Sequence, residues 1–250
     1  METLTADNAL NRRVWGPWAT IGFGLLVGIA LTVIQVLTAA FFIAARIAAD
    51  SSLDLAQLVV GLSANGLVLS VDTFVATIVC IGLVLIIIAV REGASITEYL
   101  ALKPVSKRTA LLLLVFTIGL VVLAESINGV SDRPPTEFMV DIYNTSVWPV
   151  LLWLALVIFA PASEEVFFRG FLLTGLKQSR LGSTGAVILI SLIWALMHIQ
   201  YEIFEMTTIF SLGIILGVAR LKTGSLWGPL LMHSLWNLVS VWQVSLETAV

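Results

Sequence analysis

Long apolar segments alternate with short polar connections along the chain. Seven apolar segments have about the length that a helix needs to cross a bilayer, roughly 20 residues: 15–45, 67–90, 110–130, 147–176, 184–199, 203–219 and 226–244. The connections carry Pro, Gly, Ser and Asp, which favour turns. This pattern predicts an all-α fold, a polytopic membrane helix bundle of about seven transmembrane helices. Residues 55–66 are predicted as an interfacial helix or as part of a longer one.

The basic residues sort to one side of this predicted bundle. With a cytoplasmic N-terminus, eleven of the thirteen Lys and Arg residues fall at the inner side or at inner helix ends, and only Arg46 and Arg133 fall outside. Cytoplasmic loops hold an excess of Lys and Arg, so this distribution favours seven helices and a cytoplasmic N-terminus. The inner set is Arg12, Arg13, Arg91, Lys103, Lys107, Arg108, Arg169, Lys177, Arg180, Arg220 and Lys222.

Composition excludes several classes of protein. Of the 250 residues, 59% are hydrophobic and 12% are charged, and the mean hydropathy is +1.03. A soluble domain is about half apolar and about a quarter charged, so a water-soluble fold is excluded. The net charge of -3, without a large cluster of Lys and Arg, argues against a nucleic-acid partner. Cys80 is the only cysteine, which rules out an internal disulfide and a thiolate metal cluster.

Ionisable and amide side chains inside the apolar segments are the chemical signal. A charged group costs a few kcal/mol at the bilayer centre and normally faces the bundle interior, so each one predicts a function. They are Glu164, Glu165 and Arg169 in the fourth segment, His198 in the fifth, and His233 and Asn237 in the seventh. We expect them to meet in one recess in the inner half of the membrane.

Helical spacing gives the two adjacent glutamates different partners. Residues four apart share a helix face, whereas neighbours point about 100° apart. Glu165 is therefore predicted to pair with Arg169, and Glu164 to find its partners on other helices. His233 and Asn237 share one face in the same way, and Trp194 lies one turn before His198.

Three motifs resemble those of the CPBP family of CAAX-processing endopeptidases and bacteriocin-processing or self-immunity proteins, also called the Abi family of intramembrane metalloproteases. The motifs are Glu164-Glu165-Val-Phe-Phe-Arg169, Trp194-x-x-x-His198 and His233-x-x-x-Asn237. The likeness covers about 147–244. It predicts two regions, 1–146 with the first three transmembrane helices and their loops, and 147–246 as a catalytic core of helices four to seven.

The resemblance implies an intramembrane endopeptidase, in a bacterial inner membrane, that hydrolyses a peptide bond of a membrane-associated substrate. A CAAX-like protein and a leader peptide are both compatible substrates, with membrane lipids as the surroundings. The implied roles are water activation for Glu164 and His198, oxyanion stabilisation for His233 and Asn237, support of Glu164 for Glu165 and Arg169, and substrate contact for Trp194. Trp194 stands where the family usually has Phe, which narrows the expected substrate cleft.

The need for a metal cofactor stays open at this point. A catalytic zinc needs three protein ligands and a water. Two histidines and a carboxylate form such a set, but the chain has no His-Glu-x-x-His pair. A divalent metal such as zinc is therefore neither required nor excluded by the sequence.

Two other functions are compatible with the same residues. One is a non-catalytic immunity or scaffold protein, which would keep the motifs but act by binding a partner. The other is a proton-coupled transporter that uses Asp72 or Glu125, because buried acidic and histidine side chains also form proton relays. The chain has no pair of interrupted helices in matching halves, which argues against transport.

Overall fold

Helices form all the regular structure in residues 14–131 and 133–248, the part of the chain that the computed structural model describes. Arg12 and Arg13 lie outside these residues. The predicted all-α membrane bundle is confirmed. The ten helices of the described part are α1 (Pro17–Ala49), α2 (Leu55–Ser63), α3 (Gly66–Ala89), α4 (Ile96–Tyr99), α5 (Lys107–Val130), α6 (Glu137–Asn144), α7 (Pro149–Leu176), α8 (Gly182–Leu196), α9 (Ile203–Thr223) and α10 (Trp227–Glu247).

Five of these helices, α1, α3, α5, α7 and α9, are long and apolar enough to cross a membrane. The helix α8 is apolar but has only 15 residues. The helix α10 has 21 residues and carries polar side chains such as His233, Asn237 and Gln243 among its apolar turns. The count of seven crossings therefore stays a prediction. The segment 55–66 forms the separate helix α2 rather than a continuation of α1.

Hydrogen bonds between distant connections define one end of the bundle. The indole Nε1 of Trp15 donates to the Ile87 carbonyl at 2.9 Å, and the Leu226 amide donates to the Ala101 carbonyl at 2.9 Å. These bonds bring the start of α1, the end of α3, and the connections after α4 and α9 together. We call this the basic end, because the described basic residues gather there: Arg91, Lys103, Lys107, Arg108, Lys177, Arg180, Arg220 and Lys222.

The opposite end of the bundle is tied together by a second set of contacts. The Gly66 amide donates to Oγ1 of Thr145 at 2.8 Å, which joins the start of α3 to the end of α6. The rings of Phe138 and Tyr201 meet edge-on with centroids 5.6 Å apart, which joins α6 to the connection before α9. Arg133 forms ion pairs with carboxylates of that same connection and of the first turn of α9. Acidic side chains predominate here.

The helices α8 and α9 approach each other along two glycines. A Cβ on Gly213 would lie 2.9 Å from the Ser191 side chain, and one on Gly217 would lie 2.6 Å from that of Val187. The Gly-x-x-x-Gly spacing thus serves close helix packing, as it does in many membrane proteins. This packing brings the backbone of α9 close to the polar side chains of α7.

Candidate active site

The helix α7 contains two π-helical stretches, Ala155–Phe159 before the glutamates and Glu165–Leu172, which begins at the second of them. In the first stretch the Ala160 amide bonds to the Ala155 carbonyl, five residues back. The next donor in that register is Pro161, which has no N–H, so the Leu156 carbonyl lacks a helical partner. Nδ2 of Asn237 donates to this carbonyl at 2.8 Å. Asn237 is thereby fixed against α7, and one N–H of its amide remains for another acceptor.

Glu165 and Arg169 form a fully buried ion pair, as the sequence predicted. Nη1 of Arg169 donates to Oε1 of Glu165 at 3.0 Å, and both side chains are 0% exposed. Nη2 of Arg169 donates to the Gly213 carbonyl at 3.2 Å, and the guanidinium stacks over the Trp194 ring at 4.6 Å. The same Oε1 also lies 3.0 Å from Nδ1 of His233. Oε1 of Glu165 therefore holds both Arg169 and His233, while Oε2 is buried without a hydrogen-bond partner among the described residues.

Glu164 faces away from this pair and into a recess. Its Oε2 accepts a hydrogen bond of 2.5 Å from Nε1 of Trp194 and lies 3.9 Å from Nε2 of His233. The second distance is too long for a direct hydrogen bond but suits one bridged by water. Trp194 is 3% exposed and contacts Glu164, Arg169 and both histidine rings. The substrate contact predicted for it from the sequence stays a prediction.

His198 lies just beyond the end of α8. The predicted segment ran to residue 199, but the helix ends at Leu196, and His198 occupies the following turn. Its Nδ1 lies 2.8 Å from the Trp194 carbonyl, one of the carbonyls that the end of a helix leaves without a partner. Because a carbonyl only accepts, Nδ1 carries a proton, and Nε2 is the nitrogen that can accept a hydrogen bond when it carries none. The side chain is half-buried and lines the recess.

The recess brings the predicted residues of three segments together. It has a volume of about 810 Å³, and Glu164, Trp194, His198, His233 and Asn237 all line it. Glu165 and Arg169 lie behind it and do not line it. The structure therefore brings Glu164, His198, His233 and Asn237 to one recess, as predicted. The buried ion pair of Glu165 and Arg169 lies behind them.

The recess extends in a direction that was not predicted. Its further lining comes from the connection after α5, the turn before α9, and the last turns of α10, such as Pro134, Tyr201 and Glu247. These lie at the end opposite to the basic end, and the expected position of the recess in the inner half of the membrane stays a prediction. Burial raises the pKa of the Tyr201 phenol, which stays protonated in this wall at neutral pH.

The described side chains do not form a metal-ligand set. In residues 14–131 and 133–248, no three His, Cys, Asp or Glu side chains come together in an arrangement that could hold a metal ion. Glu165 and Nδ1 of His233 are engaged with each other, whereas a catalytic zinc needs three protein ligands. The sequence left open whether a divalent metal is needed, and the described residues, as they are arranged, do not provide a site that fits one.

Comparison with known proteins matches the part of the chain that contains the candidate site. Residues 146–239 match the Rce1-like family, described as type II CAAX prenyl endopeptidase Rce1-like, and all three motifs lie inside the match. An uncharacterised 24.3 kDa protein of Escherichia coli is 32% identical over 105 residues, which are 40% of this chain and 48% of that protein. The chain thus spans about half the length of this relative. No solved structure matches the chain. Residues 146–239 thus resemble the Rce1-like family, and the predicted CPBP resemblance is confirmed.

Proposed function

We propose that this chain is an intramembrane endopeptidase in which Glu164 activates a water molecule against a peptide bond. One observation carries the proposal. Of two adjacent carboxylates, Glu165 is fully buried and paired with Arg169 and His233, whereas Glu164 faces the recess between Trp194 and His233. A carboxylate that is held in place but not neutralised is what a general base requires. The Rce1-like match of the same segment supports the reaction type.

The proton transfers follow from the atoms that face the recess. Glu164 accepts a proton from the attacking water, and the free Nε2 of His198 accepts the water's second hydrogen bond. The hydroxide adds to the carbonyl carbon of the peptide bond. The proton then passes from Glu164 to the leaving amine as the C–N bond breaks. Water is thereby divided between the new carboxyl and amino termini, and no serine or cysteine nucleophile is needed.

His233 and Asn237 are proposed to stabilise the oxyanion. When both of its nitrogens carry protons, His233 donates Nδ1–H to Glu165 and presents Nε2–H to the recess. The second N–H of the Asn237 amide is available on the same face of α10. Donors that are already held in position stabilise a developing charge without further reorganisation, and one such donor contributes about 10²–10³ in kcat. Glu165, Arg169 and Trp194 are positioning residues in this scheme.

The substrate is proposed to be a membrane-associated peptide or protein, and membrane proteomics identifies it without a prior choice. Cells expressing the chain are compared with cells expressing Glu164→Gln, and peptides of the membrane fraction are quantified by mass spectrometry. Termini that are present with the parent chain and lost with Glu164→Gln mark cleavage sites. Peptides spanning these sites are then tested with the purified protein in lipid nanodiscs, where we expect Glu164→Gln to lower kcat by about 10²–10⁴.

The matched control is Glu92→Gln. Glu92 is an exposed carboxylate at the basic end and lies outside the site, so this variant should cleave like the parent chain. Equal cleavage by the parent chain and by a folded Glu164→Gln variant would contradict the proposal and leave the non-catalytic binding function. Circular dichroism and gel filtration establish that both variants fold.

A further inference from the structure

The lining of the recess reaches one end of the bundle and not the other. Along α10 it runs from His233 to Glu247, a length of about 21 Å at 1.5 Å per residue. Its far end is lined by Pro134, Gln200 and Glu247, which belong to the end of the bundle where Arg133 pairs with Glu202 and Glu205, and we call this far end the mouth. No residue of the connections 90–106, 177–181 or 224–226 lines it. The passage to Glu164 therefore leads away from the basic end.

The charges at the two ends of the bundle assign a membrane side to this mouth. Eight of the described Lys and Arg residues lie at the basic end, in or next to short connections, whereas Arg46 and Arg133 lie at the other end. Short loops rich in Lys and Arg stay in the cytoplasm. The mouth of the recess is consequently on the non-cytoplasmic side.

The rim of the recess is also acidic. Glu125, Glu205 and Glu247 line it, and Glu202 adjoins it. Arg133 is the basic residue of the described lining, and its guanidinium lies 3.5 Å from Glu205 and 3.6 Å from Glu202. Glu125 and Glu247, both exposed, have no basic residue in the described lining left to neutralise them. A rim of this kind attracts cations and repels anions, and charged clefts concentrate ligands of opposite sign.

We propose that the substrate enters this recess from the non-cytoplasmic side and that the entering segment carries a basic residue next to its apolar stretch. The inference rests on the proposed function, since it concerns the substrate of that site. Apolar walls such as Leu123, Phe138 and Val244 receive the apolar stretch, and the acidic rim receives the basic side chain. The substrate class is therefore exported or outward-facing membrane peptides rather than cytoplasmic chain ends.

Cysteine labelling tests the side of entry. Cys80 is 2% exposed, so the parent chain gives the background reaction. Gln200→Cys places a thiol at the mouth, and Glu92→Cys places one at the basic end; both positions are exposed. Spheroplasts are treated with the membrane-impermeant cationic reagent 2-(trimethylammonium)ethyl methanethiosulfonate. We expect Gln200→Cys to react in intact spheroplasts and Glu92→Cys to react only after permeabilisation. The reverse order, or equal reaction of both before permeabilisation, overturns the proposal.

The charge of the rim is tested on Gln243→Cys, inside the recess and one turn before Glu247. Its reaction rate with the cationic reagent is divided by its rate with 2-sulfonatoethyl methanethiosulfonate, and the ratio is compared with that of free 2-mercaptoethanol. We expect a ratio at least about threefold above the free thiol, which falls when Glu247→Gln is added. A ratio at or below that of the free thiol overturns the basic-substrate inference. Neither experiment requires peptidase activity, so either inference can fail while cleavage dependent on Glu164 stands.

Discussion

The helices α1 and α5 differ from α7 and α9 in what their surfaces touch. In the most apolar 18-residue part of each, 6% of α1 and 11% of α5 is buried inside the protein, against 28% of α7 and 33% of α9. The first two can be solvated by lipid and need only be apolar. The other two bury Glu165, Arg169 and two glycines against specific partners. Hydropathy alone therefore specifies α1 and α5, whereas α7 and α9 depend on particular contacts.

The largest expected contrast comes from removing a basic residue from each kind of helix. Arg169→Met leaves Glu165 buried without its cation, and breaking a buried pair in this way costs about 3–5 kcal/mol. Arg46→Met, in the exposed last turn of α1, should cost less than about 1 kcal/mol. The free energy of unfolding in mixed micelles, titrated with SDS, measures both. The double variant Glu165→Gln with Arg169→Met should recover part of the lost free energy of unfolding. If it recovers none, the unpaired Glu165 is not the cause of the loss.

A glycine in each kind of helix gives the next contrast. A Cβ on Gly217 in α9 would lie 2.6 Å from the Val187 side chain, and valine has little freedom to move aside. Gly217→Ala should therefore lower the free energy of unfolding by about 1–3 kcal/mol. Gly119 in α5 has no neighbouring atom within 4 Å of such a Cβ, so Gly119→Ala should leave it unchanged or raise it by up to about 1 kcal/mol. Equal effects on the two helices would mean that α9 is not packed as described.

Two tryptophan substitutions test catalysis rather than stability. Trp194→Phe keeps an aromatic ring but removes the indole donor to Glu164. A hydrogen bond to a charged group contributes about 1.5 kcal/mol or more, which corresponds to about a tenfold loss of kcat. If Trp194 acts by positioning Glu164, KM should change less than about twofold. Trp18→Phe, 86% exposed on α1, should leave both constants unchanged. A rise in KM with an unaltered kcat would instead support the substrate contact predicted from the sequence.

The smallest effect is expected on the lipid-facing surface of α5. Val122 is 59% exposed there, so Val122→Leu exchanges one apolar lipid contact for another. We expect the free energy of unfolding to change by less than about 0.5 kcal/mol. The same titration in SDS checks this value. A loss above about 1 kcal/mol would show that this face packs against another chain rather than lipid.

The sequence was sufficient to predict the helices that lipid solvates and the contact between Glu165 and Arg169. Both follow from local rules, the length of an apolar run and the four-residue spacing on one helix face. The bond from His233 to Glu165 was not predictable in this way, because it joins residues 68 apart. The bond from Asn237 to Leu156 had a signal that went unused: Pro161 inside an apolar segment frees a carbonyl that some polar side chain must satisfy.

Two features of the site depend on geometry beyond any periodic pattern. The π-helical stretches of α7 change the phase of the helix around the glutamates, so ideal α-helical spacing cannot give the directions of their side chains. The direction of the recess depends on which helix ends leave space between them. Its acidic and uncharged polar rim residues lie in the predicted outer connections, and that placement was the available sign that the recess extends toward the end opposite to the basic end.

The size of the recess bears on how a polar backbone reaches the middle of a bilayer. A volume of about 810 Å³ is far larger than the space that a single water molecule needs, so the recess can hold many of them. A peptide group that crosses hydrocarbon loses hydrogen bonds worth several kcal/mol each. In the proposed reaction, an extended substrate that follows a water-filled recess would keep its amides solvated until they reach Glu164. The cost of keeping water within the bilayer would then be met by the folded protein and not by each substrate.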